Sequence, residues 1–184
     1  MISKQQKPTN SEFHSKTNAD EITKGIDISN KTAIVTGGYS GIGLETTRAL
    51  VTAGAKVIIP AKRTEIACKN LGGIVPNEDI VEMNLENLNS VKKFTEDFKE
   101  NFKKLDLLIN NAGIMACPET RIGNGWESQF AVNHIGHFLL TKELMDTMAE
   151  NDSARFVSLS SSAHSLTGIC LLYTSDAADE EAWV

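Results

Sequence analysis

Cysteine is scarce in this 184-residue chain: there are three, Cys68, Cys117 and Cys170, an odd number without metal-ligand spacing. That scarcity excludes a disulfide framework and a cysteine-built metal site, and it points to a reducing compartment with the thiols as bystanders. Long apolar runs are missing too. No window approaches the ~18 consecutive apolar residues of a membrane span, and residues 1–30 are polar, without an apolar leader core. A soluble, cytoplasmic protein with no membrane span is expected. Basic residues are outnumbered by acidic ones, 18 to 24, for a net charge of −6, and nowhere do Lys and Arg cluster with interleaved aromatics. Nucleic acid is therefore not an expected partner.

What is present is ordinary for a globular fold. Hydrophobic residues make up 41% and charged residues 23% of the chain, enough apolar surface for a core and too much for a disordered chain. The length suits one domain or part of one. Residues 1–16 carry too little apolar surface to offset ordering entropy and read as a loose arm. Thr17 or Asn18 then offers an N-cap, with Asp20 or Glu21 three residues on, which predicts a short helix over 18–24. From residue 31, β-branched apolar runs at 32–36, 56–60, 79–83, 105–110 and 155–160 alternate with segments of helical period. Such alternation predicts an α/β fold, a doubly wound parallel sheet with helices on both faces. The longest helix is expected over 126–149, with Trp126, Phe130, Asn133, His137, Leu140 and Leu144 on one inward stripe. An inward Asn133 needs partners, because burying an unpaired amide costs ~1–3 kcal/mol.

The segment Thr36-Gly37-Gly38-Tyr39-Ser40-Gly41-Ile42-Gly43 follows a strand and opens a helix. Glycines suit a tight turn, the close approach of backbone to a pyrophosphate, and the packing of helix onto strand. The helix N-terminus adds free N–H groups and partial positive charge for the phosphates. A purely structural turn is the competing reading. With strand and helix in place, the motif points to a dinucleotide-binding Rossmann domain over 30–169, incomplete at its C-terminal side. An arm with a short helix at 1–29 precedes it, and a dissimilar tail at 170–184 follows. Some ~20 residues past the glycines such folds carry an acid for the adenosine ribose. Here that place reads Pro60-Ala61-Lys62-Arg63, with no acid before Glu65. Two cations there favour NADP over NAD, since each charge-assisted bond to a 2′-phosphate is worth ~1.5–3 kcal/mol. The alternative is that Lys62 and Arg63 solvate a helix start.

The glycine spacing resembles the phosphate turn of the short-chain dehydrogenase/reductase family. Asn110-Asn111-Ala112-Gly113 is similar to that family's motif after the fourth strand, and Asn133-His134-Ile135-Gly136-His137-Phe138 to its helix motif. Val157-Ser158-Leu159-Ser160-Ser161 is similar to its serine-bearing strand, and Ser161-Ser162-Ala163-His164 resembles bacterial and retinol-dehydrogenase-like members. The resemblance implies cofactor contacts from Gly37, Ser40, Gly41, Ile42 and Gly43 in the turn, from Lys62 and Arg63, from Asn84 and Leu85, and from Asn111, Ala112 and Gly113. Asn84 stands where many members place an Asp for the adenine amino group. Ser161 is implied as the serine that polarises the carbonyl and Asn133 as the asparagine of the proton relay, acting on a small-molecule alcohol or carbonyl substrate. Asn110 is expected to tie neighbouring strands together. His134, His137 and His164 lack metal-ligand company and read as core or surface residues, so no metal is expected.

The family's Tyr-x-x-x-Lys pair, whose ammonium stabilises the phenolate from the same helical face, is missing. Only Tyr39 and Tyr173 occur. Tyr173 lies twelve residues past Ser161, but its fourth follower is Ala177 and no Lys or Arg comes after Arg155. An unassisted phenol of pKa ~10 is a poor base at neutral pH, so Tyr173 is rejected as the catalytic tyrosine. The run from Cys170 to Glu180 resembles a translated transposase-type sequencing adapter, with a genuine divergent C-terminus as the alternative. Without 170–184 the chain loses Asp176, Asp179, Glu180 and Glu181 and its net charge becomes −2. The expectation is the N-terminal part of an NADP(H)-dependent oxidoreductase that interconverts an alcohol and a carbonyl by hydride transfer, inactive as it stands. A homo-oligomer is expected only of the full-length parent. The alternatives are a non-catalytic dinucleotide-binding redox sensor and a nonfunctional truncated reading frame.

Overall fold

The computed structural model describes residues 11–14, 16–149 and 153–161. Most of the expected arm, Ser162, His164, Cys170, Tyr173 and the whole 170–184 tail lie outside the described residues. Asn18 rather than Thr17 caps the first helix, α1 (Ala19–Thr23), its side chain accepting from the Glu21 N–H at 2.9 Å. The chain then runs through β1 (Thr32–Val35), α2 (Gly41–Thr52), β2 (Lys56–Ala61), α3 (Thr64–Leu71), β3 (Ile80–Glu82), α4 (Leu88–Asn101) and β4 (Leu107–Asn110). A small hairpin of β5 (Arg121–Ile122) and β6 (Trp126–Glu127) leads into the helices α5 (Ser128–Phe130) and α6 (His137–Ala149), followed by β7 (Arg155–Ser158).

Five strands form one parallel sheet in the order β3-β2-β1-β4-β7, each within two residues of its sequence-predicted place. Burial on both faces is why β1, β2 and β4 read as nearly unbroken apolar runs, whereas β7 at the sheet edge is exposed along its length. Ile34, Ile58 and Leu108 point to one face, where α4 and α6 supply Val91, Phe94, Phe98, Leu140 and Leu144. Ala33, Val35, Val57, Ile59 and Ile109 point to the other, against Ala67 and Leu71 of α3 and the flank of α2. Strand order reverses between β1 and β4, and a doubly wound sheet leaves its ligand crevice at that switch, outside the carboxyl ends of the strands.

The long helix departs from expectation. Trp126 and Glu127 are strand, paired antiparallel with Ile122 and Arg121, and the helix begins at Ser128. Glu127 caps it by accepting from the Gln129 and Phe130 N–H groups, and the bond from Gln129 chiefly holds its carboxyl below the usual carboxylate range. Between α5 and α6 the chain makes a π-helical stretch, Ala131–Gly136. Five-residue spacing there brings Ala131 and Gly136, and Val132 and His137, to the buried side. A continuous α-helix would instead have aligned His137 with Asn133 and Phe130. Asn133 is therefore exposed rather than inward, as is Phe130, while His137, Leu140 and Leu144 keep their expected burial. Among the described residues no helix is long and apolar enough to cross a membrane.

Candidate functional site

Thr36 directly follows β1 at the switch point, buried, and its hydroxyl organises the crevice. Oγ1 accepts from the backbone N–H groups of Asn111 and Ala112, each at 2.9 Å, which folds the loop after β4 back over the end of β1. The Asn111 amide donates to the Thr36 carbonyl at 2.9 Å and locks the same junction from the side chain. On its other side Thr36 Oγ1 lies 2.8 Å from His137 Nε2, while His137 Nδ1 lies 3.1 Å from the Asn133 carbonyl. A carbonyl can only accept, so Nδ1 carries a proton; Thr36 Oγ1 already accepts two N–H groups with its two lone pairs, so it donates to Nε2, which is bare. The imidazole is thereby neutral. Burial is the main cause that pushes its pKa below the usual 6.5, with nearby His134 adding to the shift and the Asn133 carbonyl opposing it.

The glycine turn closes the crevice from the β1 side. Gly37 has φ +64°, a conformation that side chains resist, and a Cβ there would stand 3.0 Å from the Ala112 Cα. A Cβ on Gly43 would collide with the Gly37 carbonyl oxygen and the Asn111 amide, so this glycine lets α2 sit against the turn itself and the β4 loop. Ser40 is the N-cap of α2, and its side chain makes no capping bond. The result is a cavity of about 400 Å³ whose wall includes Gly37, Ser40, Ile42 and Gly43 on one side. Asn111, Ala112, Gly113 and Ile114 face it from the β4 loop, and Pro60, Lys62, Asn84 and Leu85 from the ends of β2 and β3. A concave, partly apolar wall, with the first turn of a twelve-residue helix at its lip, fits the pyrophosphate and flanking rings of a dinucleotide. Among the described residues no cluster of His, Cys, Asp or Glu could hold a metal.

Most sequence-predicted cofactor residues thus come together, and two stand apart. Gly41 (φ +52°) and Arg63, the N-cap position of α3, are not on the cavity wall. Asn133 reaches the same loop from the helix. Its amide accepts from the Ile114 N–H at 2.9 Å and donates to the Ile114 carbonyl at 2.8 Å. Asn110 does not tie strand to strand through its side chain; it donates at 2.9 Å to Thr141 Oγ1 and so pins β4 to α6. Ser161 is exposed, three residues beyond β7.

Sequence reasoning missed two features of the site. One is the use of His137 as a bridge between Thr36 and Asn133, a contact across 101 residues of chain. The other is Glu86, a carboxylate 2.5 Å from Lys62 Nζ. An acid was sought after β2, whereas this one arrives from the turn after β3, two residues past Asn84. Its signal is the in-register pairing of β2 with β3, which sets the two turns side by side.

The short chain dehydrogenase family model matches residues 31–173. The chain is 43% identical over 177 residues to short-chain dehydrogenase TIC 32 B, chloroplastic, of Brassica napus, an alignment that covers 89% of this chain and 55% of that protein. It is 40% identical over 147 residues to retinol dehydrogenase 12 of Mus musculus, covering 77% and 46%. The chain spans about half the length of the curated relatives it matches. Among solved structures, the Pseudomonas aeruginosa RhlG/NADP active-site complex superposes with a TM-score of 0.56 at 26% identity, over 70% of this chain and 51% of that one.

Proposed function

This chain belongs to the short-chain dehydrogenase family, and from that premise we propose an NADP(H)-dependent oxidoreductase that interconverts an alcohol and a carbonyl on a small-molecule substrate. The observation that carries the reading is the cavity at the β1/β4 switch, where Gly37 and Gly43 admit no side chain and Lys62 stands at the far rim. When bound there, the nicotinamide dinucleotide supplies the hydride donor or acceptor. The first turn of α2 holds the pyrophosphate with backbone N–H groups and its dipole. Lys62, with Arg63 beside it, favours a 2′-phosphate at the adenosine end. Asn111, Ala112 and Gly113, bent inward by Thr36, shape the opposite wall, and the Asn133 amide keeps Ile114 in place. Ser161 donates to the substrate carbonyl oxygen in this reading.

No Tyr-x-x-x-Lys pair occurs in the 184 residues, and proton transfer by a positioned group typically contributes ~10²–10⁴-fold to such a step. The chain therefore binds dinucleotide and orients a carbonyl without measurable turnover. Fluorescence titration with NADPH and NADH tests this reading: NADPH binds more tightly, and Lys62→Ala with Arg63→Ala removes most of the preference. An NADH preference in the unaltered chain would reject it.

A further inference from the structure

The adenosine end of the cavity offers a cation that an acid already holds. Parallel pairing of β2 with β3 sets Ala61 opposite Glu82, so the turns that leave the two strands are neighbours. Asn84 Oδ1 accepts from the Glu86 N–H at 3.0 Å, which bends the chain back after β3. The bend delivers the Glu86 carboxylate to Lys62 Nζ at 2.5 Å, and both side chains line the cavity. Any 2′-phosphate that reaches Lys62 must share it with Glu86.

We propose that Glu86 is a cofactor-selecting residue, whose carboxylate opposes a 2′-phosphorylated adenosine and favours the form with a free 2′-hydroxyl. The proposal rests on the dinucleotide reading of the cavity. The Lys62 and Glu86 side chains are 53% and 33% exposed, so their pair is solvent-screened and easily exchanged. The ammonium can turn to a phosphate, but Glu86 then faces a dianion of like charge in the same rim. A ribose hydroxyl imposes no such conflict, because a carboxylate accepts from it directly. Glu86 thus performs from the β3 turn what an acid at the end of β2 performs in other dinucleotide folds. Lys62 and Arg63 pull toward the phosphorylated cofactor, Glu86 pulls against it, and the net discrimination is moderated.

The test is the ratio of the Kd values for NADH and NADPH, read by nicotinamide fluorescence on the 184-residue chain. Glu86→Gln should move that ratio toward NADPH by roughly threefold or more, the scale of one screened charge pair. In a Lys62→Ala background the same change should still favour NADPH, because repulsion of the phosphate does not need the lysine. If both nucleotides bind and the ratio stays put or moves toward NADH, the proposal is overturned and the dinucleotide site stands. If neither nucleotide binds the unaltered chain, both the proposal and the reading beneath it fall.

Discussion

Thr36 and His137 show how much one hydroxyl and one imidazole can hold. The threonine accepts two backbone N–H groups and donates to a ring nitrogen, and the ring donates to a helix carbonyl. That chain of donors works only while His137 is neutral. Its folded pKa is lowered by burial, so between that value and the ordinary 6.5 the unfolded chain binds the extra proton. Stability from this group is present above pH ~6.5 and is lost as pH falls through the lowered folded value. Denaturant melts between pH 7.5 and 5, values on the order of the ordinary histidine pKa, should show decreasing stability on acidification, with a shallower slope in His137→Leu. An equal slope in the variant would remove His137 as the source. Gly43 is the second decisive residue. Gly43→Val places a branched side chain against the Gly37 carbonyl and the Asn111 amide, and cofactor affinity should fall at least about a hundredfold, the worth of two strong hydrogen bonds to phosphate. Unchanged binding in isothermal titration would mean that the turn holds no phosphate.

At the scale of elements, the π-helical stretch is what separates the two jobs of the long helix. Downstream of it, Leu140 and Leu144 pack into the core with α4. Within the stretch itself, the helix turns Asn133 away from the core and onto the loop after β4, where one amide satisfies both backbone groups of Ile114. Gln129 adds a second clamp by accepting at 3.0 Å from the N–H of Ala116, which is itself held at φ +54°. Asn133→Ala should cost about 1 kcal/mol in chemical denaturation, since these bonds are solvent-exposed. It should also speed amide hydrogen exchange at Ile114 specifically. Asn133→Asp keeps the acceptor, so protection at the Ile114 N–H should persist in that variant. Equal exchange in all three proteins would show that the clamp does not order the loop.

For the molecule as a whole, the outer strands of the sheet matter most. Among the described residues β7 pairs only with β4, and Phe156, Val157 and Leu159 are 48%, 45% and 45% exposed. An apolar parallel edge strand is a template for association. The chain should therefore elute from size exclusion as oligomer or aggregate at concentrations where a covered edge would leave a monomer. Val157→Lys should shift the population toward monomer, because a charge on the edge disfavours strand addition. A sharp monomer peak with cooperative melting from the unaltered chain would contradict this.

The sequence alone determined the periodic and the local features of this protein. Runs of β-branched apolar residues mark strands because strands buried on both faces need apolar side chains at every position. The glycine turn and a helix cap at Thr17 or Asn18 are equally legible, because their chemistry lies within a few consecutive residues. Tertiary structure decided the rest. A single π-helical slip in register reversed the placing of Asn133, and no 3.6-residue pattern encodes where such a slip occurs. The bridge from Thr36 through His137 and the Glu86 carboxylate at Lys62 join residues 101 and 24 positions apart. Their partners are set by which strands the sheet brings into register, a choice made by the packing of the whole core rather than by any segment of it.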